Sequence, residues 1–347
     1  MQTTKTNEIR KGEAGFSLIE LMVSSVIFLI FMGAVYGVLR MGTIQKTTTN
    51  TQTEIIKNMR LSLNTVGRDA VNAGLGYSRV GGFVPDNLTN LRLGLPADPD
   101  SSQDLITGVV SGNDINTNTL LPVGKTDVIT FTYRDMDFNA GTPIELSSVQ
   151  DNSGAGVKIL TPAAAAYNVQ PFDLYLISDG TRTALGLVTS VPNSSTMVFA
   201  TGGADPLNIN APYTGSADTR SKIADMDFSN RVTAKKVIWV SYHVSADGTL
   251  IRTIYGNNSG QPATAQIQQQ PIAYNVQNFQ IKYLLTDGTV SDDPSNAGVD
   301  QVNLNDVVQI DVTVSAVISI RENGVNMSNV VKLTSTFSTK NLNYDID

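Results

Sequence analysis

The N-terminal part of the chain separates into a polar leader and a long apolar run. Residues 1–15 are polar, whereas Phe16 to Leu39 are almost entirely apolar, with Glu20 as the only ionisable residue. The charge-free part, Leu21 to Leu39, is long enough to cross ~30 Å of hydrocarbon as a helix. A secretory signal peptide has a shorter apolar core and then a small-residue cleavage site, but this run continues through Arg40 into a polar segment. The pattern therefore predicts one transmembrane helix.

The helical pattern continues beyond the apolar run. From Thr43 to about Ala73, apolar residues recur at spacings of three and four, which predicts a helix with one apolar stripe. The stripe consists of Ile55, Met59, Leu63, Val66, Ala70 and Ala73. Gly74-Leu75-Gly76 is expected to end the helix. We predict one long helix over 16–74, with its first half in the membrane and its second half packed beneath a globular domain.

Residues 75–347 show the pattern of short strands joined by tight turns. Asp-Gly or Asn-Gly pairs separate alternating runs, which is a strong signal for β-hairpins. These pairs are Asp179-Gly180, Asp247-Gly248, Asp287-Gly288 and Asn323-Gly324. The clearest alternation puts Val308, Ile310, Val312, Val314, Ala316, Ile318 and Ile320 on one face of a strand. The predicted fold is α+β: a long helix packed on an antiparallel, loop-rich β-sheet head with one or two sheets.

Long polar stretches between the predicted strands are typical of functional or mobile loops. The predicted loops are Leu95 to Asn118, Thr201 to Arg220, Asn257 to Gln270 and Ser291 to Asn305. Acidic residues in and directly after the last loop, from Asp292 to Asp306, offer oxygen ligands for calcium, but their spacing does not match an EF-hand. A solvated turn is the simpler interpretation, so we predict no metal site.

Composition excludes several kinds of chemistry. Lys and Arg total 24 and Asp and Glu total 31, for a net charge of −7, so we predict no nucleic-acid partner. The chain has no cysteine and one histidine, His243, which strand alternation places with Trp239 and Ser241. No G-x-S-x-G elbow accompanies it, and no Walker A or G-x-G-x-x-G sequence is present. We predict a surface strand histidine, no catalytic residues, no cofactor and no enzymatic activity.

The junction between leader and helix reads Gly15-Phe16-Ser17-Leu18-Ile19-Glu20-Leu21. It resembles the class III leader of type IV prepilins and of type II secretion pseudopilins. The resemblance implies that a membrane aspartyl peptidase, the prepilin peptidase, cuts after Gly15 on the cytoplasmic side and N-methylates Phe16. Lys5, Arg10 and Lys11 precede the junction, and the positive-inside bias then predicts a periplasmic head.

Glu20 has a predicted role in subunit assembly. A carboxylate near the start of a membrane helix costs a few kcal/mol and normally faces a partner. Cleavage at Gly15 creates an α-amine on Phe16 at a similar depth in a neighbouring subunit, and pairing would fix the stagger of adjacent helices. The family assigns its glutamate this role. The alternative is that Glu20 only snorkels to the headgroups.

Gly33 and Gly37 form a G-x-x-x-G motif within the apolar run. Small residues at this spacing allow close helix packing in membranes, although glycine is also common there by chance. In an extended filament, these glycines would alternatively let the helix unwind locally. The run contains no proline, whereas many major pilins have one.

A second resemblance lies at the end of the helix, from Met59-Arg60 through Gly67-Arg68-Asp69 to Ala73-Gly74-Leu75-Gly76-Tyr77. It is similar to PilW-like minor pilins, which implies a structural subunit that primes pilus assembly at or near the tip. Its implied partners are other minor pilins, the major pilin and the inner membrane, before it reaches the cell surface. A J-type pseudopilin or a pilin-anchored adhesin is the alternative. Arg68 and Asp69 are predicted to be solvated or capping residues.

Overall fold

The structure is a computed structural model. It describes residues 15–85, 88–95, 104–152, 156–160, 167–200, 207–208, 223, 226–229, 231–256, 267–294, 302–322 and 325–343. The leader therefore lies outside the described residues except for Gly15. The described part combines one long apolar N-terminal helix with a β-rich domain, which confirms the α+β class.

The long helix, α1, spans Leu18–Asn72. Ser17 caps its N-terminus, together with Glu20 in the first turn, as a capping box. The chain then turns at Gly74 and Gly76, whose φ angles of 77° and 61° are in the left-handed region that glycine tolerates best. The predicted helix is confirmed, with ends two residues inside the expected bounds.

Among the described residues, the largest sheet has ten strands. The strands are β1 (Gly82–Val84), β2 (Asp104–Ile106), β3 (Val109–Asn116), β4 (Thr126–Arg134), β5 (Ile144–Leu146), β8 (Leu174–Ser178), β9 (Thr183–Leu187), β12 (Val232–Val244), β13 (Leu250–Tyr255) and β14 (Ile267–Ala273). The path through the sheet runs β14-β13-β12-β8-β9-β1-β2. In addition, β4 and β5 pair with β12, and β3 pairs with β4. A six-residue helix, α2, spans Leu88–Leu93.

Two four-stranded sheets complete the described part of the head. The second sheet has the order β10-β11-β7-β6 and the third has the order β16-β15-β17-β18. Their strands are β6 (Ser148–Asn152), β7 (Gly156–Leu160), β10 (Ser190–Asn193), β11 (Thr196–Phe199), β15 (Val276–Leu285), β16 (Val290–Ser291), β17 (Val307–Glu322) and β18 (Val325–Ser338). The described residues thus form three sheets rather than one or two.

The largest sheet is mixed, which corrects the prediction of an antiparallel head. β1 runs parallel to β9, with Phe83 opposite Ala184, although the other pairings in this sheet are antiparallel. A tight turn forces two strands to run antiparallel. β1 and β9 are far apart in sequence, so no hairpin sets their relative direction.

Three of the predicted hairpin turns are confirmed. Asp179-Gly180 joins β8 to β9, Asp247-Gly248 joins β12 to β13, and Asp287-Gly288 joins β15 to β16. The fourth turn, Asn323-Gly324, lies outside the described residues. In β17 the predicted face is buried from Ile310 to Ile318, but a β-bulge opposite Leu284 and Leu285 buries Val307 in place of Val308.

The predicted loop from Leu95 to Asn118 contains two strands, β2 and β3. β3 pairs with β4, but its register shifts between Gly112 and Asn116, and Asp114 has a positive φ of 52°. This bulge interrupts the alternation of apolar and polar residues, so the sequence pattern did not reveal the strand. Residues 267–270 of another predicted loop belong to β14. Residues 96–103, 201–206, 209–220, 257–266 and 295–301 of the predicted loops lie outside the described residues.

The second half of α1 packs against β4, β14, β17 and β18. All six residues of the predicted stripe are buried in the core between the helix and the first and third sheets. The stripe is therefore confirmed, and burying it fixes one side of the helix against the head. The first half of the helix extends away from this core.

Candidate assembly site

The first half of α1 is an exposed apolar rod. Every large apolar side chain from Phe16 to Met41 is exposed, and Phe16 retains 88% of its accessible surface. An 18-residue window of the helix reaches a mean hydropathy of 2.4, with none of the window buried. By length and composition this helix qualifies to cross a membrane. A continuous apolar surface of this size requires a lipid or protein environment.

Glu20 lies in this rod and caps the helix. The backbone N–H of Ser17 donates to Glu20 Oε2 at 3.0 Å. Cleavage after Gly15 would leave this contact intact, because Ser17 lies beyond the cut. A carboxylate has two oxygens and several acceptor positions, so capping leaves acceptor capacity for a second partner. The capping contact is a third role, besides subunit pairing and snorkelling, that the sequence analysis did not weigh.

The hydroxyls of two serines in the rod are satisfied within the helix. Ser24 Oγ donates to the carbonyl of Glu20 at 2.6 Å, and Ser25 Oγ donates to that of Leu21 at 2.9 Å. Such bonds lower the cost of a hydroxyl in an apolar environment. Gly33 and Gly37 face open space, with nothing within 4 Å of a Cβ placed at either. Their surface is free for close packing, which remains a prediction because the structure contains a single chain.

The second half of α1 contains a buried ionic cluster that corrects the prediction for Asp69. Asp69 is fully buried, whereas its neighbour Arg68 has 67% of its side chain exposed. Asp69 Oδ1 accepts from Tyr133 Oη at 3.0 Å, and Oδ2 accepts from Tyr242 Oη at 2.6 Å and from Arg252 Nε at 2.9 Å. Asp69 is thus a tether between the helix and three strands.

The electrostatics of this cluster favour a charged Arg252 and protonated tyrosines. Burial alone would lower the pKa of Arg252, but Asp69 and Tyr242 beside it hold the pKa above its usual value. Burial and the Asp69 carboxylate raise the pKa of both Tyr133 and Tyr242, which keeps the phenols protonated as donors. One carboxylate and one guanidinium cancel in charge, so the cluster satisfies the condition for burying ions.

The spacing of Asp69 contained a signal for its burial. It lies three residues after Val66 and four before Ala73, which are both in the buried stripe. Residues at these spacings share one helix face. Because Arg68 and Asp69 are adjacent and both charged, they instead suggested two solvated residues. Gly67 is a second missed position, since a Cβ there would overlap the Phe337 ring of β18.

The single histidine is less exposed than predicted. His243 is half-buried near the end of β12, and burial lowers its pKa. The reason is that both faces of β12 are covered: Trp239 packs in one core cluster while Val240 and Tyr242 pack in another. A strand covered on both faces does not offer the solvent-exposed side that alternation implied.

The acidic segment proposed above as a solvated turn lies partly outside the described residues. Asp292 forms an ion pair with Lys282 at 3.1 Å, and both side chains are 59% exposed. Within the described part of the chain, no group of three or more His, Cys, Asp or Glu side chains is arranged to hold a metal ion.

Comparison with known proteins supports the N-terminal assignment. A family model described as the prokaryotic N-terminal methylation motif matches residues 10–36. The matched region contains Gly15, Phe16 and Glu20 and ends within the exposed apolar rod. No curated protein matches the chain. The chain therefore carries a type IV prepilin-like leader, which indicates a protein of the pilin and pseudopilin type.

Proposed function

We propose that this protein is a minor pilin of a type IV pilus, with a structural and non-catalytic role. It primes pilus assembly and sits at or near the tip of the filament. The observation that carries the proposal is the division of α1. Its first half is an exposed apolar rod behind a prepilin-like leader, and its second half is fixed to a large β-rich head.

The rod accounts for the proposed partners. Before assembly it holds the subunit in the inner membrane, and after cleavage by the prepilin peptidase it packs among the helices of other minor pilins and the major pilin. The buried second half makes the head move with the rod as one unit. A head of this size is more than a minimal pilin requires, which supports a position at or near the tip, where space is not limited by subunits ahead.

Glu20 variants test this function. In a strain that makes Glu20→Ala at normal protein levels, we expect insertion and cleavage to proceed but filament number and co-purification of other minor pilins to fall. The physical reason is that an incoming subunit loses the charge that pairs with a neighbour's α-amine in a low-dielectric setting.

Glu20→Gln separates the two contacts of this side chain. Glutamine keeps an acceptor for the Ser17 N–H and is accepted in a capping box, but it removes the charge. Poor assembly of Glu20→Gln would assign the defect to the charge pair, whereas normal assembly would assign it to the cap. Glu54→Ala is the matched control, because Glu54 is an exposed carboxylate on the same helix beyond the apolar rod.

The filament position distinguishes this proposal from the alternatives. We expect antibody labelling of the head at filament ends, and loss of filaments when the protein is deleted. A deletion that leaves pili unchanged but blocks protein secretion would indicate a pseudopilin instead. Unchanged filaments in both the deletion and Glu20→Ala would contradict a role in priming.

A further inference from the structure

A second buried cluster of charges lies far from the helix, where β12 changes partners. β12 pairs with β8 up to Val237 and with β4 from Val237 onward. Lys236 lies at this change, opposite Tyr175 of β8, and its carbonyl accepts from the N–H of Asp135 at 2.9 Å. The sheet therefore brings one lysine between the start of β8 and the end of β4.

The lysine is held against two carboxylates inside the head. Lys236 Nζ lies 2.9 Å from Asp173 Oδ1 and 4.0 Å from Asp135 Oδ2. The Lys236 side chain is 3% exposed and that of Asp173 is fully buried. Lysine is among the residues least often buried, and it is normally paired when it is. Here a single amine faces two carboxylates.

The two oxygens of Asp173 have different environments. Oδ2 accepts from the Gln170 N–H at 2.9 Å and from Tyr175 Oη at 3.3 Å. Oδ1 is buried, lies 2.9 Å from the Lys236 amine and has no other hydrogen-bond partner. One oxygen is thus held by two donors, while the other contacts the Lys236 amine.

The Lys236 amine lies among aromatic side chains and is shielded from solvent. Lys236 Nζ lies 5.2 Å from the centroid of the Phe138 ring, and that ring packs edge-on against Tyr175 at 5.8 Å. Burial raises the pKa of Asp173, although Lys236 beside it opposes the shift. A carboxyl group and an amine in contact, both shielded from solvent, are the two reactants of amide formation.

We propose that Lys236 and Asp173 join spontaneously through an intramolecular isopeptide bond. Lys236 Nζ attacks Asp173 Cγ, and Oδ2 takes up the negative charge of the tetrahedral intermediate. The Gln170 N–H and the Tyr175 hydroxyl stabilise that charge, as an oxyanion hole does. Asp135 relays two protons, one after the other, from the nitrogen to Oδ1, which leaves as water. One C–N bond forms and one C–O bond breaks, without any oxidant or reductant.

Such a bond would give the head its covalent cross-link. The chain has no cysteine and therefore no disulfide. The link would close the chain between residues 173 and 236 and join β8 to β12 through side chains. Closing a loop of this length restricts the unfolded chain, as a disulfide does. A subunit under tension in a filament gains resistance to unfolding from it.

Peptide mapping of the purified full chain tests the proposal directly. After trypsin digestion, we expect residues 159–182 and 236–252 to appear as one branched species, lighter than the sum of the two peptides by one water molecule. Lys236 should resist cleavage because its amine is acylated. The surface pair Lys282 and Asp292 has a similar N–O distance of 3.1 Å but is exposed, and its peptides should stay separate.

Variants of Asp135 and Lys236 test the mechanism. Asp135→Asn preserves shape but accepts no proton, so we expect the folded protein with the two peptides unlinked. Lys236→Arg keeps a positive charge and should also be unlinked. Folding of each variant is checked by the fluorescence of Trp239. Recovery of the two separate peptides, with full masses, from wild-type protein would overturn the proposal and leave an ordinary buried ion pair.

Discussion

Asp69 shows how one side chain determines the attachment of the helix. It connects α1 to β4, β12 and β13 through three hydrogen bonds in a site closed to water. Each partner also depends on it, because Arg252 without Asp69 would be a buried charge without a counter-ion. The cluster as a whole therefore contributes more to stability than the sum of its separate hydrogen bonds.

Replacing Asp69 with alanine should destabilise the protein strongly. We expect a loss of about 3–5 kcal/mol in the free energy of unfolding, since the change leaves a buried guanidinium unpaired. The measurement is urea unfolding in detergent, followed by the fluorescence of the single tryptophan, Trp239. Arg68→Ala is the control, and its loss should stay below about 1 kcal/mol because Arg68 is exposed. Equal losses in both variants would contradict the tether.

Asp127 gives the head a pH dependence. It is buried in β4 and accepts from the Asp114 N–H at 2.9 Å and the Ile281 N–H at 2.7 Å, which links the first sheet to the third. Burial raises the pKa of Asp127 to about 6 from an ordinary 3.8. The folded state binds the proton of the Asp127 carboxyl more tightly than the unfolded state does. The resulting contribution to the free energy of unfolding is fully present below about pH 4 and is lost as the pH rises through 6.

The Asp127→Asn variant isolates this contribution. Two pKa units correspond to at most ~3 kcal/mol. Burial lowers the pKa of His243, and this shift acts with the opposite sign, because it makes stability fall as the pH falls. The quantity to compare is therefore the difference in unfolding free energy between wild type and variant at several pH values from about 4 to 7. A difference that does not change with pH would show that Asp127 does not titrate in this range.

At the scale of elements, α1 has two halves with different requirements for packing. The second half approaches the third sheet so closely that Gly67 lies under the Phe337 ring of β18. The first half shows open space around Gly33 and Gly37. One helix thus uses glycine for contact within the subunit and offers glycine for contact outside it.

Alanine at these positions should separate the two uses. Alanine favours a helix over glycine by about 1 kcal/mol, but at Gly67 its Cβ would overlap the ring, and overpacking costs ~1–3 kcal/mol. We expect Gly67→Ala to lower the thermal unfolding temperature. Gly33→Ala should leave that temperature unchanged, and any effect should appear only in filament assembly. A higher unfolding temperature for Gly67→Ala would mean that Phe337 and the third sheet make room for the added methyl group without loss of stability.

For the whole molecule, the division into rod and head implies an orientation. The leader carries Lys5, Arg10 and Lys11 before the apolar run, whereas Arg40 and Lys46 follow it. The positive-inside bias is therefore weak by count alone. The prepilin-like leader adds the expectation that the peptidase acts from the cytoplasmic side.

A reporter fused after Asp347 measures this orientation. We expect a reporter that requires the periplasm to be active and one that requires the cytoplasm to be inactive. Replacing Gly15 with a bulky residue should leave uncut precursor in the membrane with the same orientation, because insertion depends on the apolar run. Activity of the cytoplasmic reporter alone would reverse the proposed topology.

The sequence by itself determined the features that depend on local pattern. A single apolar run, a stripe at helical spacing and Asp-Gly turns between alternating segments each report on neighbours a few residues apart. They predicted the long helix, its buried face and the hairpins of the head, which the structure confirms. Cleavage after Gly15 and pairing of Glu20 rest on the leader motif and remain predictions.

Only the tertiary structure decided which distant residues meet. Asp69 lies 64, 173 and 183 residues from its partners Tyr133, Tyr242 and Arg252. No local period encodes such separations. The spacing of Asp69 places it on the buried face of the helix, but only the assembled head shows which side chains bind it. The parallel pairing of β1 with β9 and the contact of Lys236 with Asp173 have the same origin, because both arise from the order in which strands assemble into the sheet.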